Sequence, residues 1–352
     1  MVTPLSAIRA AQSGARRIVD EAFSAYAAVD AGIVGYVAPH KLLQMASAVV
    51  KFGGLGALPT VAALRYGSRV AVIDELGELT FSDLDRGSNA IANAWRTRGV
   101  TGGQGVAILA RNHRYFHYAV FAAAKCGARI VLLNTEFAGP QLREVAAREG
   151  ADLLVYDEEY ADLLAGIDPR FGRWRAWADH PGGDTLAAVI AGESHRQPGA
   201  PSTGSKIVLL TSGTTGTPKG APRAEPRSLT ALGAILESVP FRVGEVTECP
   251  APLFHTLGFA HAMLAMGLGS ALVVRRKFDP ETVLDSIARH RATALAPDGL
   301  VVGDLHLENF GVYRGADGEL CFDVNDFDDV GFGPVDLDVK RLCTSALLLP
   351  GL

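Results

Sequence analysis

The run TSGTTGTPKG, residues 211–220 of a 352-residue chain, gathers the residue types that grip an anion. Glycines at 213, 216 and 220 permit positive φ and let backbone N–H groups come close to a ligand. Thr211, Ser212, Thr214, Thr215 and Thr217 add hydroxyl donors, and Lys219 adds a charge that reaches phosphate oxygens. The apolar stretch KIVLL comes immediately before, so the loop is expected at the end of a buried strand rather than in a free linker. Its order is not the GxxxxGK[ST] of a Walker loop. The chemistry it predicts is a hold on the β- and γ-phosphates of a nucleotide.

A second candidate lies near the carboxyl end, in VVGDLHLENFGVYRGADGELCFDVNDFDD. A short apolar strand leads to Asp304, and Asn309 follows five positions later. A hairpin turning through Gly315 and Gly318 is expected to bring Asp326 and Asp328 alongside. This segment resembles the catalytic centre of aminoglycoside-phosphotransferase-like kinases, and more closely an uncharacterised bacterial family with a GDLHLENFG signature. The resemblance implies Asp304 as catalytic base, Asn309 as a magnesium ligand and Asp326 as the main metal ligand, with Asp328 a weaker candidate. It gives His306 no catalytic role.

The elements that must position these residues can be read from the pattern. Residues 1–65 read as helical, with KLLQMASAVVKF at helical spacing. RVAVIDELGELTF predicts a hairpin turning at Gly77, and SDLDRGSNAIANAWRTRG a helix with Ser82 as N-cap and Gly99 at its end. GVAILAR, ARIVLLN and DLLVYD read as apolar strands separated by the helices YFHYAVFAAAKCG and GPQLREVAAREG. Strands alternating with helices predict an α/β fold with parallel sheets covered by helices on both faces. Residues 180–204 are rich in Gly, Pro and Ser and read as a surface connection. Residues 251–274 carry no charged side chain, but their Gly and Ala content and terminal β-branched run predict a buried helix and strand rather than a transmembrane span.

Around the phosphate-type loop the chain resembles the adenylate-forming enzymes, the superfamily of acyl-CoA synthetases, luciferases and peptide-synthetase adenylation domains. The likeness covers about residues 65–296 and includes LTFSDLDRGSNAIANAW, AAAKCGARIVLLNTEFAGPQL and PLFHTLGFAHAM. The stretch AILARNHRYFHYAVFAAAKCGARIVLLNTEFAGPQL is most similar to bacterial fatty acyl-CoA synthetases. The resemblance implies ATP, magnesium and coenzyme A as co-substrates, and a carboxylic acid, notably a fatty acid, as substrate. It implies that the loop from Thr211 to Gly220 holds the leaving pyrophosphate and that His255 sits beside the acyl chain and adenylate. Gly258 and Phe259 would shape the pocket wall. The family's adenine wall, its magnesium-binding Glu and its lid Lys have no counterpart after Leu295. The expected organisation is therefore a helical extension (1–65), a truncated adenylation domain (66–296) and an α+β fragment of a kinase-like lobe (297–352).

Composition bounds the alternatives. Hydrophobic residues make up 48% of the chain and charged ones 20%, which is globular rather than disordered. A net charge of -5 argues against a broad nucleic-acid surface and leaves only weak peripheral contact with a membrane. The first residues carry charges where a signal peptide needs an apolar core, and the four cysteines are scattered, so a cytoplasmic protein with reduced thiols is expected. Three readings follow: an impaired acyl-CoA synthetase-type ligase of fatty acid metabolism, a small-molecule phosphotransferase acting through the carboxyl-terminal motif, or a non-catalytic fusion remnant. Helices deprived of half a domain would expose apolar side chains and favour self-association.

Overall fold

A computed structural model of the chain describes residues 31–32, 35–179, 182, 184–211, 219–223, 242–295, 298–301, 310–314, 320–324 and 331–334. In chain order it holds α1 (Pro39–Tyr66), β1 (Val70–Asp74), β2 (Gly77–Thr80), α2 (Phe81–Thr97), β3 (Gly105–Leu109), α3 (Arg114–Lys125), β4 (Arg129–Leu132), α4 (Gly139–Arg148) and β5 (Ala151–Tyr156). A 3-10 turn (Glu158–Leu164), β6 (Arg173–Arg175), α5 (Leu186–Gly192), β7 (Lys206–Thr211), β8 (Lys219–Arg223) and β9 (Val246–Glu248) follow. Then come α6 (Thr256–Leu268), β10 (Ala271–Val273), α7 (Pro280–His290), β11 (Ala294–Leu295), β12 (Asp298–Val301), β13 (Phe310–Arg314), β14 (Leu320–Val324) and β15 (Gly331–Pro334).

Six strands form one sheet in the order β6-β5-β3-β4-β7-β8, parallel except for β8 at one edge. A five-stranded sheet, β11-β9-β10-β1-β2, is parallel apart from the β1–β2 hairpin. Helix α3 lies between the sheets, touching β1 on one side and β3 and β4 on the other. That is why RYFHYAVFAAAK is apolar around its whole circumference, with every residue from Phe116 to Lys125 buried. A continuous core joins α2, α3 and α6 to strands of both sheets, and α4 with the 3-10 turn covers the far face of the larger sheet through Leu142, Val145 and Leu164. At the α2–α3 crossing a Cβ on Gly87 would lie 2.2 Å from the Tyr118 ring, so only glycine admits the tyrosine there.

The Lys125 side chain is fully inside. Lys125 Nζ donates to Asp85 Oδ1 (2.7 Å), Ser88 Oγ (2.8 Å) and Asn89 Oδ1 (2.7 Å), and Thr60 Oγ1 donates to the same Asp85 oxygen (2.6 Å). This knot ties α1, α2 and α3 together. The second half of α1 shares the common core through Ala62 and Tyr66, beyond a break at Gly53, whose φ is +72°. Its first half leaves Leu42, Leu43, Val49 and Val50 exposed. By length and composition α1 is the one helix among the described residues able to cross a membrane, although over a third of its most apolar window is buried.

The expected strands and helices between residues 69 and 156 are present, as are the buried helix and strand of 251–274, now α6 and β10. Three local expectations change. Thr80, not Ser82, caps α2, because its extended backbone (ψ 162°) lets its side chain accept from Asp83 N. Gly77 opens β2 after a turn made by Glu75 and Leu76. Residues 186–192 form a helix capped by Thr185, and the following loop is fastened to α2 by Asn93 Nδ2, which donates to Ser194 O and Arg196 O (2.8 and 2.9 Å). The β13–β14 hairpin expected near the carboxyl end forms with Phe310 opposite Val324, and β12 pairs antiparallel with β15.

Candidate functional site

The carboxyl ends of parallel strands are where open α/β sheets bind ligands, because loops diverge there and helix amino ends point in. Strand β7 reaches that edge at Thr211, and β8 returns antiparallel with Lys219 opposite Thr211 and Gly220 opposite Leu210. The phosphate-type loop is therefore a seven-residue excursion, residues 212–218, closed at its base by backbone pairing. Ser212, Gly213, Thr214, Thr215, Gly216 and Thr217 lie outside the described residues, so the fold places the loop's two ends and not its interior.

Beside β7 runs β4, and its carboxyl end leads into a turn where Asn134 Oδ1 accepts from Glu136 N (2.8 Å). His255 faces this turn from the other sheet. It occupies the N-cap position of α6 with extended backbone (φ -86°, ψ 152°), and its own N–H donates to Pro252 O (3.0 Å). The residue is exposed, and its ring lies tilted against Phe254 with the ring centroids 4.5 Å apart. Partial burial holds the His255 pKa below the ordinary value, while the Glu136 carboxylate pulls the other way. The charge of Glu136 acting on His255 links that side chain to the turn after β4, the strand next to β7.

The turn that carries His255 is tightly seated. A Cβ on Gly258 would lie 2.4 Å from Pro252 O and 2.9 Å from Ala251 O, so the first turn of α6 can approach residues 251–252 only because residue 258 has no side chain. From the larger sheet, Asn112 donates through Nδ2 to Ala251 O (2.7 Å) and accepts through Oδ1 from Leu253 N (2.8 Å), all of it buried. The neighbouring His113 accepts from Tyr115 N through Nδ1 (3.2 Å), which leaves its proton on Nε2 to bond Asp157 Oδ1 (2.8 Å). Further along, Arg276 Nη2 and Arg111 Nε both donate to Glu159 Oε1 (2.6 and 2.9 Å) and hold the two sheets together. Sequence reasoning singled out His255 but neither Asn112 nor Glu136. The available signal was their place just after apolar strands, where polar residues of parallel sheets face a ligand edge.

Asp304, Asn309 and Asp326, with His306 and Asp328, lie outside the described residues. Among the described residues no group of three or more His, Cys, Asp or Glu is placed to hold a metal ion, and Cys126 and Cys249 are buried. A cleft of about 590 Å³, lined by Leu76, Tyr115, Trp177, Asp179, Thr185 and Ala188, opens near β6. Strands β5, β3 and β4 separate β6 from β7, so this cleft is not where the loop would read phosphates.

The sequence profile of AMP-binding enzymes matches residues 60–298, more than half of the chain and all of both sheets. The chain belongs to the AMP-binding enzyme family. Ligases of this family generally use ATP, magnesium and coenzyme A. The feruloyl-CoA synthase of an Amycolatopsis species is 30% identical over 247 residues, covering 68% of this chain and 48% of that protein. The 4-coumarate–CoA ligase 1 of Oryza sativa subsp. japonica is 30% identical over 262 residues, covering 68% and 45%. The chain spans about half the length of these AMP-binding relatives. A putative long-chain-fatty-acid CoA ligase from Rhodopseudomonas palustris shares the fold with a TM-score of 0.62 at 23% identity, covering 71% of this chain and 64% of that one. Residues 287–350 match a second family, described as an uncharacterized protein conserved in bacteria (DUF2252), and the two matches overlap across α7 and β11.

Proposed function

We propose that residues 60–298 form the pyrophosphate-gripping and acyl-binding part of an ATP-dependent acid–thiol ligase, an acyl-CoA synthetase acting on a fatty or other carboxylic acid. The observation that carries this reading is the pairing of Lys219 with Thr211, which brings the two ends of the Gly/Thr segment together at the end of β7, beside the strand whose following turn carries the Glu136 charge felt by His255. In such a reaction a substrate carboxylate oxygen attacks the α-phosphorus of ATP. The bond to the bridging oxygen breaks and pyrophosphate leaves with the electron pair. The thiol of coenzyme A then attacks the acyl carbon and expels AMP. Loop amides, the hydroxyls of Thr211, Ser212, Thr214, Thr215 and Thr217, and the Lys219 ammonium would stabilise the charge that develops on pyrophosphate. His255 would lie against the acyl adenylate, with Gly258 and Phe259 in the pocket wall.

The match to the family ends at residue 298 and another family's sequence takes over, so the 352-residue polypeptide would keep the phosphate grip while supporting little turnover. Calorimetry should show magnesium-dependent binding of ATP or pyrophosphate, weakened about tenfold or more by Lys219→Ala through loss of a charge-assisted bond. ATP–pyrophosphate exchange with a panel of fatty and aromatic acids should be slight. Robust exchange abolished by Lys219→Ala would show the turnover estimate to be wrong. Absence of any nucleotide or pyrophosphate binding would remove the ligase reading.

The match of residues 287–350 to a separate family favours a second reading, a phosphotransferase with Asp304 as base and Asn309 and Asp326 on magnesium. It requires magnesium-dependent phosphate transfer to a small molecule that Asp304→Ala eliminates. Transfer that survives this substitution rules it out.

A further inference from the structure

We infer that Asn112 is a positioning residue for the acyl side of the site, acting through the turn that carries His255. This rests on the ligase reading above. Three features of the structure converge on it. First, the Asn112 side chain, just past the carboxyl end of β3, satisfies both a backbone donor and a backbone acceptor of the 251–253 turn. Its amide oxygen fixes Leu253 N and its amide nitrogen fixes Ala251 O, 141 and 139 residues away, so no local propensity can replace it. Second, the turn has little freedom left once those bonds are made. Gly258 already meets the Pro252 and Ala251 carbonyls from the α6 side, so the turn is gripped between α6 and the larger sheet. Third, the His255 N–H is hydrogen-bonded back to Pro252 O and its ring packs tilted against Phe254, which ties it to the gripped segment.

The consequence is directional. The phosphate loop hangs from β7 and β8, whose pairing does not involve Asn112, while the His255 turn belongs to the other sheet and is registered to the first by this amide. Releasing the amide should therefore disturb the acyl half of the site and spare the phosphate half. A buried donor and acceptor left unpaired carry a desolvation penalty, so the turn is expected to move towards solvent rather than stay.

The full 352-residue chain is tested with Asn112→Leu, which keeps the volume and removes both bonds, and Asn112→Asp, which keeps the acceptor for Leu253 N only. The probes are cis-parinaric acid, a fluorescent fatty acid, and inorganic pyrophosphate with magnesium. In Asn112→Leu the parinarate affinity should fall about tenfold or more, and pyrophosphate affinity should stay within about twofold. Asn112→Asp should fall in between. Histidine-labelled protein supplies an independent readout, since His255 should titrate closer to an ordinary histidine in the leucine variant while the fully buried His117 keeps its behaviour. Parallel loss of both affinities, or no change in either, overturns the assignment. If the unaltered chain binds neither probe, the ligase reading fails, and the His255 titration alone then decides the positioning claim: an unchanged His255 in a folded Asn112→Leu or Asn112→Asp protein refutes it.

Discussion

Replacing Lys125 by alanine is expected to lower the unfolding free energy by about 3–5 kcal/mol, the usual result of removing one partner from a buried ion pair. The ammonium is wholly enclosed and answers three acceptors at 2.7–2.8 Å, on Asp85, Ser88 and Asn89. Without it the Asp85 carboxylate keeps only the Thr60 hydroxyl and a 3.4 Å contact from Asn89 Nδ2 as side-chain donors. Because Asp85 sits on α2 and Thr60 on α1, the loss reaches the packing of three helices at once. Urea denaturation followed by circular dichroism measures the change. Pairing Lys125→Met with Asp85→Leu should recover part of the loss, because no unpaired charge then remains inside. A drop below about 1 kcal/mol for the alanine variant would mean that water reaches Asp85 and that the knot contributes little.

Acidification should destabilise the fold through two buried histidines. Burial pushes the pKa of His117 and of His261 down to about 4 from the ordinary 6.5. His117 Nδ1 bonds the His113 carbonyl at 3.3 Å, and Nε2 has no partner among the described residues, so a second proton there would be unsolvated. His261 Nε2 is bonded to Thr247 Oγ1 at 2.5 Å inside the smaller sheet's core. For a group whose folded pKa is depressed, the stabilisation is complete above the unfolded value and disappears as pH falls towards the folded one. The window is therefore pH 6.5 down to about 4. Within it each histidine contributes a slope that rises towards about 1.4 kcal/mol per pH unit, so moving from pH 6.5 to 5 should remove about 3 kcal/mol in all. Glu248 works in the opposite sense. Its burial raises its pKa, against bonds from Ser286 and the charge of Arg275, so it favours the fold at the acid end and reduces the net slope. Denaturation midpoints at several pH values give the slope directly. His117→Phe should flatten it by about one proton, and an unchanged slope would mean that His117 is already protonated in the fold.

The sequence by itself determined the alternation of elements from β1 to β5, the strand that launches the Gly/Thr loop, the buried character of α6 and the late hairpin. These are legible because each depends on neighbouring residues: apolar period, strand-breaking glycines and small polar loop formers act over ten or so positions. What only the tertiary structure decided is who stands next to whom. Chain order does not predict β6-β5-β3-β4-β7-β8, nor that KGAPR after the loop folds back as an antiparallel edge. Lys125 lies at the end of a helix legible in the sequence, but only the packing of α1 and α2 encloses it with Asp85. Asn112 drew no notice in the sequence, and its meaning came from a peptide 139 residues downstream. Thr80 displaced Ser82 as a cap because the hairpin before α2 sets where the helix can begin. Local pattern selects the elements. Burial, and the need of each enclosed polar group for a partner, selects their arrangement, and those partners are found only when distant segments meet.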